Sequence, residues 1–275
     1  MLTHSTISQT TGVTPTQPRA VRPLIAALSL AWREIIRFLR QRHRVFGALG
    51  QPIIFWLLFG TGLGSLKLDY AYFFPGTLVM ILLFTAIFST ISVIEDRREG
   101  FLQSVLVAPL PRWSMVAGKL LGGTALAMLE GLLFLMLGLL TVHGLAPGVS
   151  GVIGAVVLMA VVSLALCGLG FLLAWTMNSS QGFHAVMMVF LMPMWLLSGA
   201  FFPAQSGWLA WVVRLNPLTY GVAGLRQLLQ LGMVNPPAAA GPPLWLCWGI
   251  SLVFAAAMFA LCALSARRTT RGDLL

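Results

Sequence analysis

Six long apolar runs, at 46–66, 71–94, 115–142, 152–176, 183–202 and 244–265, constrain this 275-residue chain more than any other feature of its sequence. Each is near or above the roughly 20 residues a helix needs to cross about 30 Å of hydrocarbon. No water reaches exposed peptide groups in lipid, so each run has to satisfy its backbone within itself, as a helix. The runs are continuous rather than alternating, which excludes a transmembrane barrel. Hydrophobic residues make up 58% of the chain and charged residues only 9%, a balance no soluble domain carries. The expectation is an all-α membrane protein with six transmembrane helices in one domain, 46–265.

The few charges are biased, with 17 Lys and Arg against 7 Asp and Glu. A basic groove for nucleic acid is excluded by their placement, because they cluster at the ends of apolar runs. With the amino terminus inside, one side receives the seven arginines before residue 46, then Arg97, Arg98, Arg112 and Lys119, then Arg267, Arg268 and Arg271. The other side receives Lys67, Arg214 and Arg226. Basic residues are retained on the cytoplasmic side, so both termini are expected there, with the protein in the plasma (inner) membrane.

Outside the spans, residues 1–22 are rich in Ser, Thr, Gln and Pro and read as a disordered tail, and 266–275 as a short cytoplasmic tail. Residues 23–45 have helical periodicity. Leu24, Leu28, Ala31, Trp32, Ile35, Phe38 and Leu39 share one face, while Arg33, Arg37, Arg40 and Arg44 share another. Such a helix fits the membrane interface, its stripe in the acyl boundary and its arginines at lipid headgroups. Gly118 and Gly122 have the spacing that admits a close helix, within the chain or from another. Pro75 and Pro193 each favour a kink.

Two further stretches carry more than span count. Between the second and third runs lies Glu95-Asp96-Arg97-Arg98-Glu99-Gly100-Phe101-Leu102-Gln103-Ser104-Val105-Leu106-Val107-Ala108-Pro109. Phe101, Leu102, Val105 and Leu106 recur at helical spacing, and Pro109 should end the helix by Ala108. This short amphipathic element is suited to offer an apolar face to a cytoplasmic partner. After the fifth run come Ser198-Gly199-Ala200-Phe201-Phe202-Pro203 and Arg214-Leu215-Asn216-Pro217-Leu218-Thr219-Tyr220. Trp208–Leu215 is apolar but too short to span, and Asn216-Pro217 separates it from a second short helix, Thr219–Leu229. Such pieces are tolerated at membrane depth where protein or a cavity buries them.

Together these stretches closely resemble the type-2 ABC exporter permeases, which include drug-resistance, nodulation-factor and polysaccharide export subunits. The resemblance covers nearly the whole chain after the tail. It implies that Glu99, Gly100, Phe101, Leu102, Gln103, Val105, Leu106, Ala108 and Pro109 form a coupling helix that docks on a separate ATPase. It also implies that Ser198, Gly199, Phe202, Pro203, Asn216, Pro217 and Tyr220 belong to short outer re-entrant helices. The partners it implies are an ABC ATPase, which would hold the ATP and Mg, a second permease chain, identical or paralogous, and membrane lipid. The cargo would be a drug, a lipid-like amphiphile or a glycan.

No Gly-x-x-x-x-Gly-Lys-Ser/Thr loop occurs in the chain, so ATP hydrolysis is expected on another polypeptide and no cofactor on this one. Gly148-Val149-Ser150-Gly151 and His184 match the residue types of an intramembrane serine protease. The topology separates them by about a membrane thickness, so they are read as a turn and an unrelated histidine. Glu130 is the acid deep in a span; it faces cargo, relays a proton, or sits protonated against neighbouring polar groups. A proton-coupled carrier is the alternative it leaves open. Cys167, Cys247 and Cys262 have no metal-ligand spacing and are expected in apolar packing.

Overall fold

The computed structural model describes residues 22–41, 70–142, 147–200, 207–230 and 241–268, with a few single positions between. The predicted first span, 46–66, lies outside the described residues except for isolated helical positions such as Phe46 and Ile54. Most of both predicted tails also lies outside them, as do Phe202 and Pro203.

Every regular element among the described residues is a helix. In chain order they form α1 (Pro23–Arg40), α2 (Tyr70–Ser89), α3 (Ile91–Arg98), α4 (Phe101–Val107), α5 (Arg112–Thr141), α6 (Val149–Thr176) and α7 (Ser180–Trp195). A π-turn (Leu196–Ala200) follows, then α8 (Trp208–Leu215), α9 (Pro217–Leu229) and α10 (Leu244–Arg268). Five candidate spans emerge: Ala71–Arg98, which joins α2 to α3, then Arg112–Thr141, Val149–Thr176, Ser180–Ala200 and Leu244–Arg267. All five coincide, within a few residues, with runs expected from the sequence.

α2 is the centre of the bundle. Phe74 and every residue from Leu78 to Leu83 are buried, as expected of a helix that is apolar on all sides and enclosed by others. α5 and α6 approach it through small residues. A Cβ on Gly170 would stand 2.8 Å from Thr90 Oγ1 and 3.0 Å from Ile87 Cα, so a larger residue there would push the two helices apart. Cys167, Cys247 and Cys262 are buried and unbridged, as the sequence indicates.

α7 contains Pro193 and breaks into the π-turn, in which Gly199 adopts a left-handed φ of 74°. Beyond it lie α8 and α9, of 8 and 13 residues, each too short to cross a bilayer. α9 packs against α2, α6 and α10, so neighbouring helices cover that short piece, whereas α8 packs chiefly on the π-turn and α9 and leaves Trp208, Trp211 and Leu215 exposed. The bundle thus has two distinct ends. One holds Asp96 and the α3–α4 connection; the other holds Tyr72, α8 and α9. They lie roughly 36 Å apart along the α2–α3 axis, at 1.5 Å per residue.

Candidate functional site

At the Asp96 end, three cations and four carboxylates converge from three helices. α1 supplies Arg33, Glu34 and Arg37, α3 supplies Glu95 and Asp96, Glu99 follows α3, and α5 supplies Lys119. Asp96 is fully buried and is the hub. It accepts from Arg33 Nη2 at 3.0 Å, from Arg37 Nη1 at 2.8 Å and from Lys119 Nζ. Lys119 also donates to Glu34 Oε1 at 2.7 Å and to Ser92 Oγ at 3.3 Å. Arg37 reaches onward to Glu95 and Glu99, both at 3.1 Å. Burial pulls the Arg33 guanidinium down in pKa, but the hydrogen bond and charge of Asp96 outweigh that and hold it above its ordinary value.

For Arg33 and Arg37 the cluster corrects the expectation that the arginines of α1 meet headgroups, while Arg40 is exposed and Arg44 lies outside the described residues. Arg33 and Arg37 turn to carboxylates, and the buried face is Ala27, Ala31 and Glu34. That face fits α5 because Gly118 and Gly122 leave room. A Cβ on Gly118 would stand 2.8 Å from the Ala27 carbonyl oxygen, and one on Gly122 would stand 2.8 Å from Glu34 Cβ. The glycine pair therefore receives a helix of the same chain. Leu24, Leu28 and Trp32 remain exposed on the far side of α1.

The α3–α4 connection hangs from this cluster. Gly100, at φ 74°, makes the corner between the two helices, a backbone conformation that glycine adopts without steric cost. Phe101 lies under the Arg33 guanidinium, 3.6 Å from ring centroid to Cζ. Leu102 is 5% exposed, and Val105 and Leu106 pack on the same core. The apolar face of α4 is thus occupied by its own chain. The face left open is Glu99, Gln103, Ser104, Val107 and Pro109, with Ala108 half-buried beside it. Amphipathic spacing revealed the helix but not what its apolar face covers.

Other arginines at this end stabilise helix C-termini, where carbonyls lack intrahelical partners. Arg97 donates to the Trp175 carbonyl at 2.5 Å and Arg98 to that of Asn178 at 3.1 Å, just past α6. Arg112 donates to the Ala266 carbonyl at 2.7 Å, near the end of α10.

The Tyr72 end gathers the described residues of the expected outer segment. Asn216 caps α9, its Oδ1 accepting from Leu218 N–H at 3.0 Å, while its Nδ2 donates to the Met194 carbonyl at 2.5 Å. Pro217 opens α9, where its missing N–H costs nothing. Tyr220 donates to the Arg214 carbonyl at 2.9 Å, tying α9 back to α8. Ser198, Gly199 and Tyr220 line a cavity of about 510 Å³, and Tyr72, Arg214 and Arg226 line it as well.

Glu130 lies midway along α5, 1% exposed. Its Oε2 accepts from the Thr85 hydroxyl and its Oε1 has no hydrogen-bond partner. Ser150, at the start of α6, and His184, near the start of α7 with its ring stacked on Phe88, lie at opposite ends of the bundle. They cannot act on one bond. Among the described residues no group of His, Cys, Asp and Glu is placed to hold a metal.

A bundle of long apolar helices, with two short helices at one end and a helical elbow at Gly100 at the other, fits a multi-pass membrane transporter. The profile of the ABC-2 type transporter family matches residues 26–229, and the chain belongs to that family. It is 27% identical over 210 residues to the putative transport permease ycf38 of Cyanophora paradoxa, covering 72% of each chain. Against ycf38 of Porphyra purpurea it is 24% identical over 211 residues, 73% of this chain and 72% of that one. Against the probable multidrug ABC transporter permease YbhR of Escherichia coli K12 it is 27% identical over 158 residues, 56% of this chain. The matched part spans 42% of that relative's length.

Proposed function

We propose that this ABC transporter permease works as an exporter whose ATPase is a separate polypeptide. The observation that carries the reading is the α3–Gly100–α4 elbow. It is a short helix with one apolar face held to the bundle and a mixed face, Gln103, Ser104 and the exposed Val107, left open. A rod fixed in this way transmits a push. Displacing α4 moves Asp96, and Asp96 is joined to α1 through Arg33 and Arg37 and to α5 through Lys119. The ATPase binds at this end, which is cytoplasmic along with both termini, and ATP and Mg bind to that partner. Nucleotide-driven closure rocks the spans as rigid bodies about their packed contacts.

Two permease chains, identical or paralogous, would bracket the cargo path in the plasma membrane, each docked on one ATPase subunit. The spans, apolar with few polar groups, suit an amphiphilic cargo such as a drug or lipid-like molecule. The description of the bacterial relative as a multidrug permease supports that class. Purification of the full chain from its native membrane in mild detergent tests the proposal. A co-eluting ATPase bearing the Gly-x-x-x-x-Gly-Lys-Ser/Thr loop, with vanadate-sensitive activity, is the expected result. A chain that is alone under conditions that preserve other ABC complexes contradicts it.

One observation favours a second reading. Glu130 is a buried acid with an unpartnered oxygen, a costly arrangement unless it serves transport. In a proton-coupled carrier, Glu130→Gln abolishes pH-driven uptake in vesicles that contain no ATP. In the exporter it leaves ATPase coupling in place.

A further inference from the structure

Arg226 differs from every described cation at the Asp96 end. There, the buried Lys119 and the half-buried Arg33, Arg37, Arg97 and Arg112 each meet a carboxylate or a helix C-terminus. Arg226 Nη2 donates to the carbonyls of Tyr72 at 3.3 Å and Gly199 at 3.4 Å, both long for N–H···O bonds. Its Nε is buried without a partner. The guanidinium lies 4.0 Å from the Tyr72 ring centroid. Among the described residues, no carboxylate forms an ion pair with it. A half-buried guanidinium whose Nε is shut away from any acceptor is poorly compensated, and an anion would complete it.

The cavity beside it has room for that anion and for more. Its volume is about 510 Å³, Arg214 adds a second cation to the lining, and Ala210, Val213, Val222 and Leu246 make an apolar wall. A guanidinium favours oxyanions because its fork matches two oxygens at once. A charged pole set against an apolar wall suits an amphiphile, not a free ion.

We propose that this cavity binds the oxyanion headgroup of an anionic amphiphile against Arg226, with the amphiphile's apolar segment along the α8, α9 and α10 wall. The assignment does not depend on the exporter reading, since it concerns equilibrium binding by the chain alone. The acid in the sequence nearest to this region is Asp69, outside the described residues, and the test has to separate it from a ligand.

Native mass spectrometry of the full chain, released from membranes holding equal phosphatidylglycerol and phosphatidylcholine, makes the test. The expected result is one retained phosphatidylglycerol, preferred over phosphatidylcholine, with occupancy falling about ten-fold in Arg226→Gln. Arg226→Lys retains a preference for the anionic lipid, and Arg40→Gln, at the other end, changes nothing. Equal retention of the two lipids by the parent chain overturns the proposal, as does an unchanged preference in Arg226→Gln. Displacement of the adduct by inorganic phosphate overturns the amphiphile and leaves a free anion. An adduct that appears only in Asp69→Asn overturns the site as well, because Asp69 is then the native counter-charge.

Discussion

The two ends of this bundle handle buried charge in opposite ways. At the Asp96 end, three cations from α1 and α5 are matched by four carboxylates, and the most buried member, Asp96, touches all three. At the Tyr72 end, Arg226 leans on two carbonyls and an aromatic ring beside an open cavity. A compensated cluster fixes helices relative to one another, because separating them strands charges in a low dielectric. An undercompensated cation fixes little and remains available to a ligand. The contrast accords with the two proposals, force transmission at one end and recognition at the other.

The largest expected effect is at the hub. Asp96→Asn removes the one carboxylate that Lys119 and both arginines share, leaving them only Glu34, Glu95 and Glu99, and should cost about 3 kcal/mol, read as a large fall in the melting temperature of the purified chain. If Asp96→Asn melts like the parent, the cluster is not what holds α1. Next is the small-residue contact beneath it. Gly122→Leu has to displace Glu34 and should cost about 1–3 kcal/mol, with α1 becoming accessible to protease. Arg226→Gln removes a cation–π contact and two long hydrogen bonds, and should melt within about 1 kcal/mol of the parent. A loss there as large as at Asp96 would erase the distinction between the ends. Smallest is the open face of α4, where Gln103→Glu should change stability by no more than about 0.5 kcal/mol while lowering ATPase stimulation by cargo.

How far the sequence anticipated this molecule depends on the kind of signal. Apolar runs located the five described spans because bilayer thickness dictates their length. Asn216-Pro217 marked the break between α8 and α9 because proline and an N-capping side chain act locally. The ion cluster was less legible. Lys119 and Arg33 look like ordinary cytoplasmic cations, and only the folded chain brings Asp96 within reach of both. A local signal did exist, since Ala27, Ala31 and Glu34 recur at spacings of four and three on α1. A carboxylate in line with two alanines, matched by Gly118 and Gly122 on α5, marks a close and charged helix contact. Arg226 gave no such signal, because a cation counted as lying beyond the spans is unremarkable until its surroundings lack a carboxylate. Leu102 illustrates the remaining limit. Periodicity identified an amphipathic helix, but which side meets its own chain is decided by the Gly100 corner and the core beneath it.

In the proposed exporter an ATPase acts on this chain through α4 at the Asp96 end. Photo-crosslinking from the open face of α4 tests it most directly, with a benzophenone amino acid at Gln103 and, as the comparison, at Trp211 on α8. The account predicts that Gln103 captures a polypeptide bearing the Gly-x-x-x-x-Gly-Lys-Ser/Thr loop, with a yield that changes when ATP and vanadate are added, and that Trp211 does not. Capture of that ATPase from Trp211, or its absence from Gln103 in a membrane where the complex is active, would contradict the account.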